Sequence, residues 1–191
     1  MYELPTEIMI EDVPYQIRNR GDYRVILDIF SVLEDPELEQ KERVISALII
    51  FYEDFNDIED VLTFPYLEEA TTKMYDFFNG NKPSSGKKAR KYIDWQDDEE
   101  MICAAVNKVA GQEIRLADYI HWWTFLSYYM SVGECILSTV VGIRSKIMEG
   151  KSLEKWEREY RNDNPQYFNW NHKTIDEIDA EEWLKSVWNK E

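Results

Sequence analysis

The pair in this chain that comes nearest to catalytic equipment is Asp118 and His121. Three residues apart on a helix, they would share a face, and a carboxylate there can orient an imidazole that works as a base. No nucleophile is placed beside them by spacing. Their neighbours Trp122, Trp123 and Phe125 belong to a packed interior, so His121 reads as a core histidine whose ring nitrogens make structural hydrogen bonds. The other chemically capable group is the acidic run Asp94, Asp97, Asp98, Glu99 and Glu100. A hard cation needs several convergent oxygens, and a helix converges only pairs such as Asp94 with Asp98 or Asp97 with Glu100. Acids at a helix start also complement its positive end, which is a sufficient reason for them. The chain has two histidines, His121 and His172, and no CxxC, HExxH, GxSxG or phosphate-cradling glycine loop. The expectation is a non-enzyme with no catalytic residue, no metal site and no cofactor. Its rival is a helical enzyme using Asp97, Glu100, Asp118 and His121 around a divalent cation.

Stepping outward, Leu116 to Val132 is apolar and aromatic on nearly every side, and the spacing predicts one core helix over it. Leu116, Tyr119, Ile120, Trp123, Leu126 and Met130 form one stripe, and Trp122, Phe125, Tyr129 and Val132 a second. His121, Thr124, Ser127 and Ser131 share a narrow polar seam. Asp118, His121 and Glu134 interrupt the run, and its Trp and Tyr residues sit mid-segment, which argues against a membrane span.

Before this helix, Glu7–Arg18 reads as a hairpin turning at Glu11-Asp12-Val13-Pro14. Gly21-Asp22 is a stop followed by an N-cap, opening a helix with Tyr23, Ile26, Leu27 and Phe30 on one face. Asp35-Pro36 launches a second helix, lined by Leu38, Val44, Ile45, Leu48, Ile49, Tyr52 and Phe55. An acid-rich loop leads to a third helix with Leu67, Ala70, Met74, Phe77 and Phe78 inward, closed by Asn79-Gly80. Asp94 caps a further helix to Ala110, with Trp95, Ile102, Ala105, Val106 and Val109 inward and Gly111 as its stop. Beyond Gly133, a helix places Ile136, Val140, Ile143 and Ile147 on one stripe, with Arg144 and Lys146 near its negative end. The fold class is therefore mainly α: a multi-helix bundle around an aromatic-rich central helix, with a small N-terminal β-hairpin. Residues 1–150 form the helical core domain and 151–191 a polar, Trp-containing C-terminal extension.

Residues 79–91, NGNKPSSGKKARK, read as a mobile linker. Lys87, Lys88, Arg90 and Lys91 there serve a solubilising loop over acidic surface in preference to a phosphate or acidic partner. Four of the seven tryptophans, Trp156, Trp170, Trp183 and Trp188, lie beyond residue 150 in hydrophilic sequence. Aromatic anchors on a polar background suit either a partner interface or a tail strapped onto its own core. Thr174-Ile175-Asp176-Glu177 is a capping-box pattern that opens a last short helix. The net charge of −16 argues against nucleic acid or an anionic membrane surface as partner, because both repel such a field. Cys103 and Cys135 are too few for a disulfide framework and read as buried and reduced. With no signal peptide visible, the cytoplasm is the expected compartment.

In chain order, Asp22-Tyr23-Arg24, Glu42-Arg43 before Leu48 and Phe51-Tyr52, Asp94-Trp95-Gln96-Asp97-Asp98, Gly111, His121-Trp122-Trp123-Thr124-Phe125 and Ile143-Arg144 resemble the bacteriophage gp-fifteen family of siphophages. The resemblance runs over roughly residues 20 to 150. Asp94, Trp95, Asp98, His121, Trp122, Trp123, Phe125 and Arg144 are its signature, read as structural core. It implies a tail-assembly-chaperone-like factor encoded beside the tape-measure gene. Such a factor binds and solubilises the tape-measure protein, helps recruit the tail-tube protein, and works in the host cytoplasm without remaining in the virion. The partner would lie in a groove between the third helix and the core stretch, or on the aromatic tail; self-association is left open. Rival readings are an acidic DNA mimic that occupies a basic host protein, and a structural tail component.

Overall fold

The computed structural model describes residues 3–81 and 92–169. They fall into two compact units, one of residues 3–81 and 119–124, the other of residues 92–118 and 125–169. The protein is mainly helical with a small antiparallel hairpin, as its sequence predicts.

The first unit opens with strands β1 (Glu7–Ile10) and β2 (Val13–Gln16), paired from Glu7↔Gln16 to Ile10↔Val13. The turn is shorter than predicted. Glu11 and Asp12 alone make it, both left-handed (φ 46° and 63°), the geometry that follows the twist of the flanking strands. Pro14 lies within β2 opposite Met9, whose carbonyl turns outward to the Lys73 ammonium. That outward-facing position is one where a missing N–H costs no ladder bond.

Helix α1 (Tyr23–Glu34) starts on Asp22, which accepts a hydrogen bond from the Arg24 amide. It buries Val25, Ile26, Ile29 and Leu33, while Leu27 and Phe30 are half-buried. Helix α2 (Gln40–Phe51) begins four residues later than Asp35-Pro36 suggests. Glu39 and Glu42 form a reciprocal capping box there, whereas Asp35 accepts from Glu37 N in the preceding turn. The acidic stretch read as loop contains a short helix, α3 (Ile58–Thr63), capped by Asp57 through Asp60 N. Helix α4 (Leu67–Phe78) buries the five residues predicted for it, Leu67, Ala70, Met74, Phe77 and Phe78.

In the second unit, α5 (Glu99–Ala110) starts after Asp98 rather than Asp94 and stops at left-handed Gly111, φ 69°. Asp94 instead caps the turn before it, accepting from Gln96 N and Asp97 N at 2.9 and 3.0 Å. Val109 is exposed rather than inward. Helix α7 (Ile136–Met148) buries Leu137, Val140, Ile143 and Arg144. Ile136, predicted on that stripe, is 55% exposed. Helix α8 (Lys155–Asp163) follows.

The predicted core helix is the largest departure. Only Trp122–Met130 is helical (α6), with a 3₁₀ turn at Ile114–Leu116 and a non-helical stretch between. Leu116 is 83% and Met130 69% exposed, so the stripe drawn through them does not exist. The cause is tertiary pairing. Ile120 N donates to Asp22 Oδ2, Tyr23 N donates to Ile120 O, and Asp22 bridges His121. Backbone groups satisfied that way are unavailable to a helix. No helix among the described residues is long and apolar enough to cross a membrane.

Candidate functional site

Three signature residues, His121, Trp122 and Trp123, knot the first unit. His121 is the residue before α6, and its Nδ1 accepts the Trp123 amide at 3.0 Å, an N-cap made by an imidazole. An Nδ1 that accepts leaves the proton on Nε2, which donates to the Pro5 carbonyl at 2.9 Å. Burial, the largest effect, pushes the imidazole pKa below its usual 6.5, against the opposing pull of Pro5 and Asp22. Both ring nitrogens are engaged this way, so the base-and-carboxylate arrangement suggested by Asp118 and His121 is not built. Trp122 Nε1 and Trp123 Nε1 donate to Phe78 O and Phe77 O, each at 2.9 Å. Two consecutive indoles thus serve the carbonyls at the end of α4, groups that lack intrahelical partners.

Asp22 is the hub that spacing did not reveal. Its Oδ1 accepts from the Arg24 amide and Nε, and its Oδ2 from Ile120 N and Arg24 Nη2. The approach to it is tight. Asn19, Arg20 and Gly21 are all left-handed, with φ 48°, 56° and 75°. A Cβ on Gly21 would meet Phe77 Cζ at 2.9 Å and His121 Nε2 at 3.2 Å. Only glycine suits both that conformation and that distance.

In the second unit the signature residues Asp98 and Arg144 form a buried ion pair, with 2% and 1% of their side chains exposed. Arg144 Nη1 and Nη2 bond Asp98 Oδ2 and Oδ1 at 2.5 and 2.9 Å. Nη1 also reaches Tyr92 O, while Nε and Nη2 reach Tyr167 O. All five guanidinium donors are thereby used. Helix polarity alone predicts Arg144 at the negative end of its helix and Asp98 at the positive end of another; instead they hold each other. The available signal was Arg144's place on the stripe of Leu137 and Val140. Trp95 leans on Phe125 and Tyr129, with ring centroids 6.3 and 5.4 Å away. Lys146 and buried Glu157 form a further pair at 2.6 Å.

Among the described residues, no group of three or more His, Cys, Asp or Glu is placed to hold a metal ion. Cys103 is buried, which raises its thiol pKa, and Cys135 is half-buried in the connection before α7. Of the aromatic anchors, Trp156 is 51% exposed on α8, its Nε1 bonded to Glu154. Trp170, Trp183, Trp188, His172 and the capping box at Thr174 lie outside the described residues, as do Lys87, Lys88, Arg90 and Lys91.

A family model described as Bacteriophage Gp15 protein matches residues 1–168. The match takes in the hairpin and α8, beyond the residues 20 to 150 over which the resemblance is legible by eye. No curated protein and no solved structure matches the chain.

Proposed function

The chain belongs to the Bacteriophage Gp15 protein family, and on that footing we propose that it is a non-enzymatic tail-assembly chaperone. In this reading it binds the long helical tape-measure protein in the bacterial cytoplasm, keeps it soluble, assists tail-tube assembly and leaves before the particle is complete. Family membership over residues 1–168 carries the reading. Two physical features support it. A net charge of −16 keeps a complex with an aggregation-prone helical client in solution. Large apolar side chains stand exposed on both units, Tyr66 and Met9 on one and Met130, Ile136 and Trp156 on the other, as a surface that receives an amphipathic helix requires.

The test is co-expression with the long helical protein encoded beside it, scored by solubility and co-purification. A neighbour that is soluble only with this chain, and elutes with it, supports chaperoning. An insoluble neighbour with nothing co-purifying refutes it and directs attention to the assembled particles. Trp156→Ala, Trp183→Ala and Trp188→Ala then ask whether the aromatic extension is the contact. Unchanged capture by all three removes that version of the idea.

A further inference from the structure

In the first unit a cleft of about 610 Å³ opens between the hairpin turn and α4, within the size range of ligand pockets. Glu11 of the turn and Tyr66, Glu68, Glu69, Lys73 and Asp76 are among its lining residues. Lys73, the one cation among the described lining residues, is already committed. Its ammonium is bound to Glu69 at 2.5 Å and to the Met9 carbonyl. Glu11, Glu68 and Asp76 are exposed and make no ion pair with any described residue. Between them the lining offers apolar surface at Pro65 and at Tyr66, which is 44% exposed. Concave apolar wall with three uncompensated carboxylates on its rim is a combination that discriminates among occupants. A purely apolar segment would leave the carboxylates facing it unpaired. A nucleic-acid backbone would be repelled. Lys and Arg side chains fit both parts, because they lay aliphatic stems on apolar surface while their heads stay in water beside acids, and an aromatic ring attracts such heads.

We propose that this cleft seats a lysine- or arginine-bearing amphipathic segment of the long partner protein. Its cationic heads pair with Glu11, Glu68 and Asp76 and its apolar positions lie on Tyr66. The inference rests on the chaperone reading and names the partner's docking chemistry. The expected groove is thus on α4, with the hairpin turn as its second wall in place of the Leu116–Val132 stretch.

The test compares full-length variants for capture of the co-expressed neighbour. Glu11→Gln/Glu68→Gln/Asp76→Asn neutralises the rim. Asp28→Asn/Glu37→Gln/Glu134→Gln removes the same charge from exposed sites that do not line the cleft. Three exposed ion pairs together predict about a tenfold weaker Kd for the rim variant, a change of twofold or less for the control, and a comparable loss for Tyr66→Ala. Raising the salt from about 0.1 to 1 M, which shortens the Debye length from about 10 to 3 Å, should weaken wild-type binding and leave the rim variant nearly unaffected. Matching circular dichroism and thermal transitions check that all variants fold. Equal losses in rim and control variants, or wild-type affinity in the rim variant, overturn the proposal. If the wild-type chain captures nothing, the chaperone reading fails instead. The cleft is then probed with a fluorescent synthetic helix of leucine and lysine: tighter binding by wild type than by the rim variant sustains it, and equal binding overturns it.

Discussion

Replacing Arg144 with methionine keeps most of the aliphatic volume and deletes five hydrogen bonds at once. Asp98, with 2% of its side chain exposed, would be left as a buried carboxylate without its counter-ion, and the carbonyls of Tyr92 and Tyr167 would lose their donors. Breaking a buried pair from one side costs about 3–5 kcal/mol. For a chain of this size that corresponds to a fall in Tm of about 6–20 °C. The assay is urea and thermal unfolding followed by tryptophan fluorescence and circular dichroism. Arg144→Lys should fall between wild type and Arg144→Met, because an ammonium cannot fork to both carboxylate oxygens while also reaching two carbonyls. Adding Asp98→Asn to Arg144→Met is the sharper test. It removes the stranded charge, so the double variant should be more stable than Arg144→Met alone, a strongly non-additive result. Lys155→Ala, which breaks the exposed 3.8 Å pair with Glu159, should leave the transition where it is. A loss below about 1 kcal/mol for Arg144→Met, or additive losses in the double variant, would refute the account of this pair as a buried, mutually dependent unit.

Gly21→Ala should cost about 2–5 kcal/mol, combining left-handed strain with the close approach of Phe77 and His121; a neutral result in urea unfolding would show that the Asp22 region relaxes freely. For His121, burial holds the folded-state pKa below 6.5, so the unfolded chain takes up a proton that the folded chain resists. Stability is then full above that pH and declines as pH falls below it. The urea midpoint should drop between about pH 7.5 and 5.5, and His121→Gln should flatten that slope while His172→Gln should not. An identical slope in His121→Gln would remove the imidazole from the explanation. Trp156→Ala should leave the melting transition within about 1 kcal/mol of wild type, since about half of this residue is already in water.

Local signals in the sequence were enough for much of the scaffold. Asp22 as an N-cap, Gly111 as a left-handed stop, the hairpin and the inward face of α4 each depend on residues within a turn or two of one another, and each is present in the fold. The ordered motifs from Asp22-Tyr23-Arg24 to Ile143-Arg144 were likewise enough to point to the family. Charge and composition set the class of partner to look for. Tertiary structure decided whatever depends on partners far along the chain. Periodicity runs a helix through Leu116–Val132, but Asp22, 98 residues from Ile120, accepts the Ile120 amide and the Tyr23 amide takes the Ile120 carbonyl, the backbone groups that a longer helix would need. Composition placed Arg144 and Asp98 at opposite helix ends for their dipoles, where each would gain a fraction of a kcal/mol. Burial makes them a single interacting pair instead, because a charge removed from water must find its opposite. The same reasoning holds for Glu11 and Asp76. Sixty-odd residues apart in a chain with 38 acids, they have no local reason to be read together. They become walls of one cleft only when the hairpin turn folds against α4.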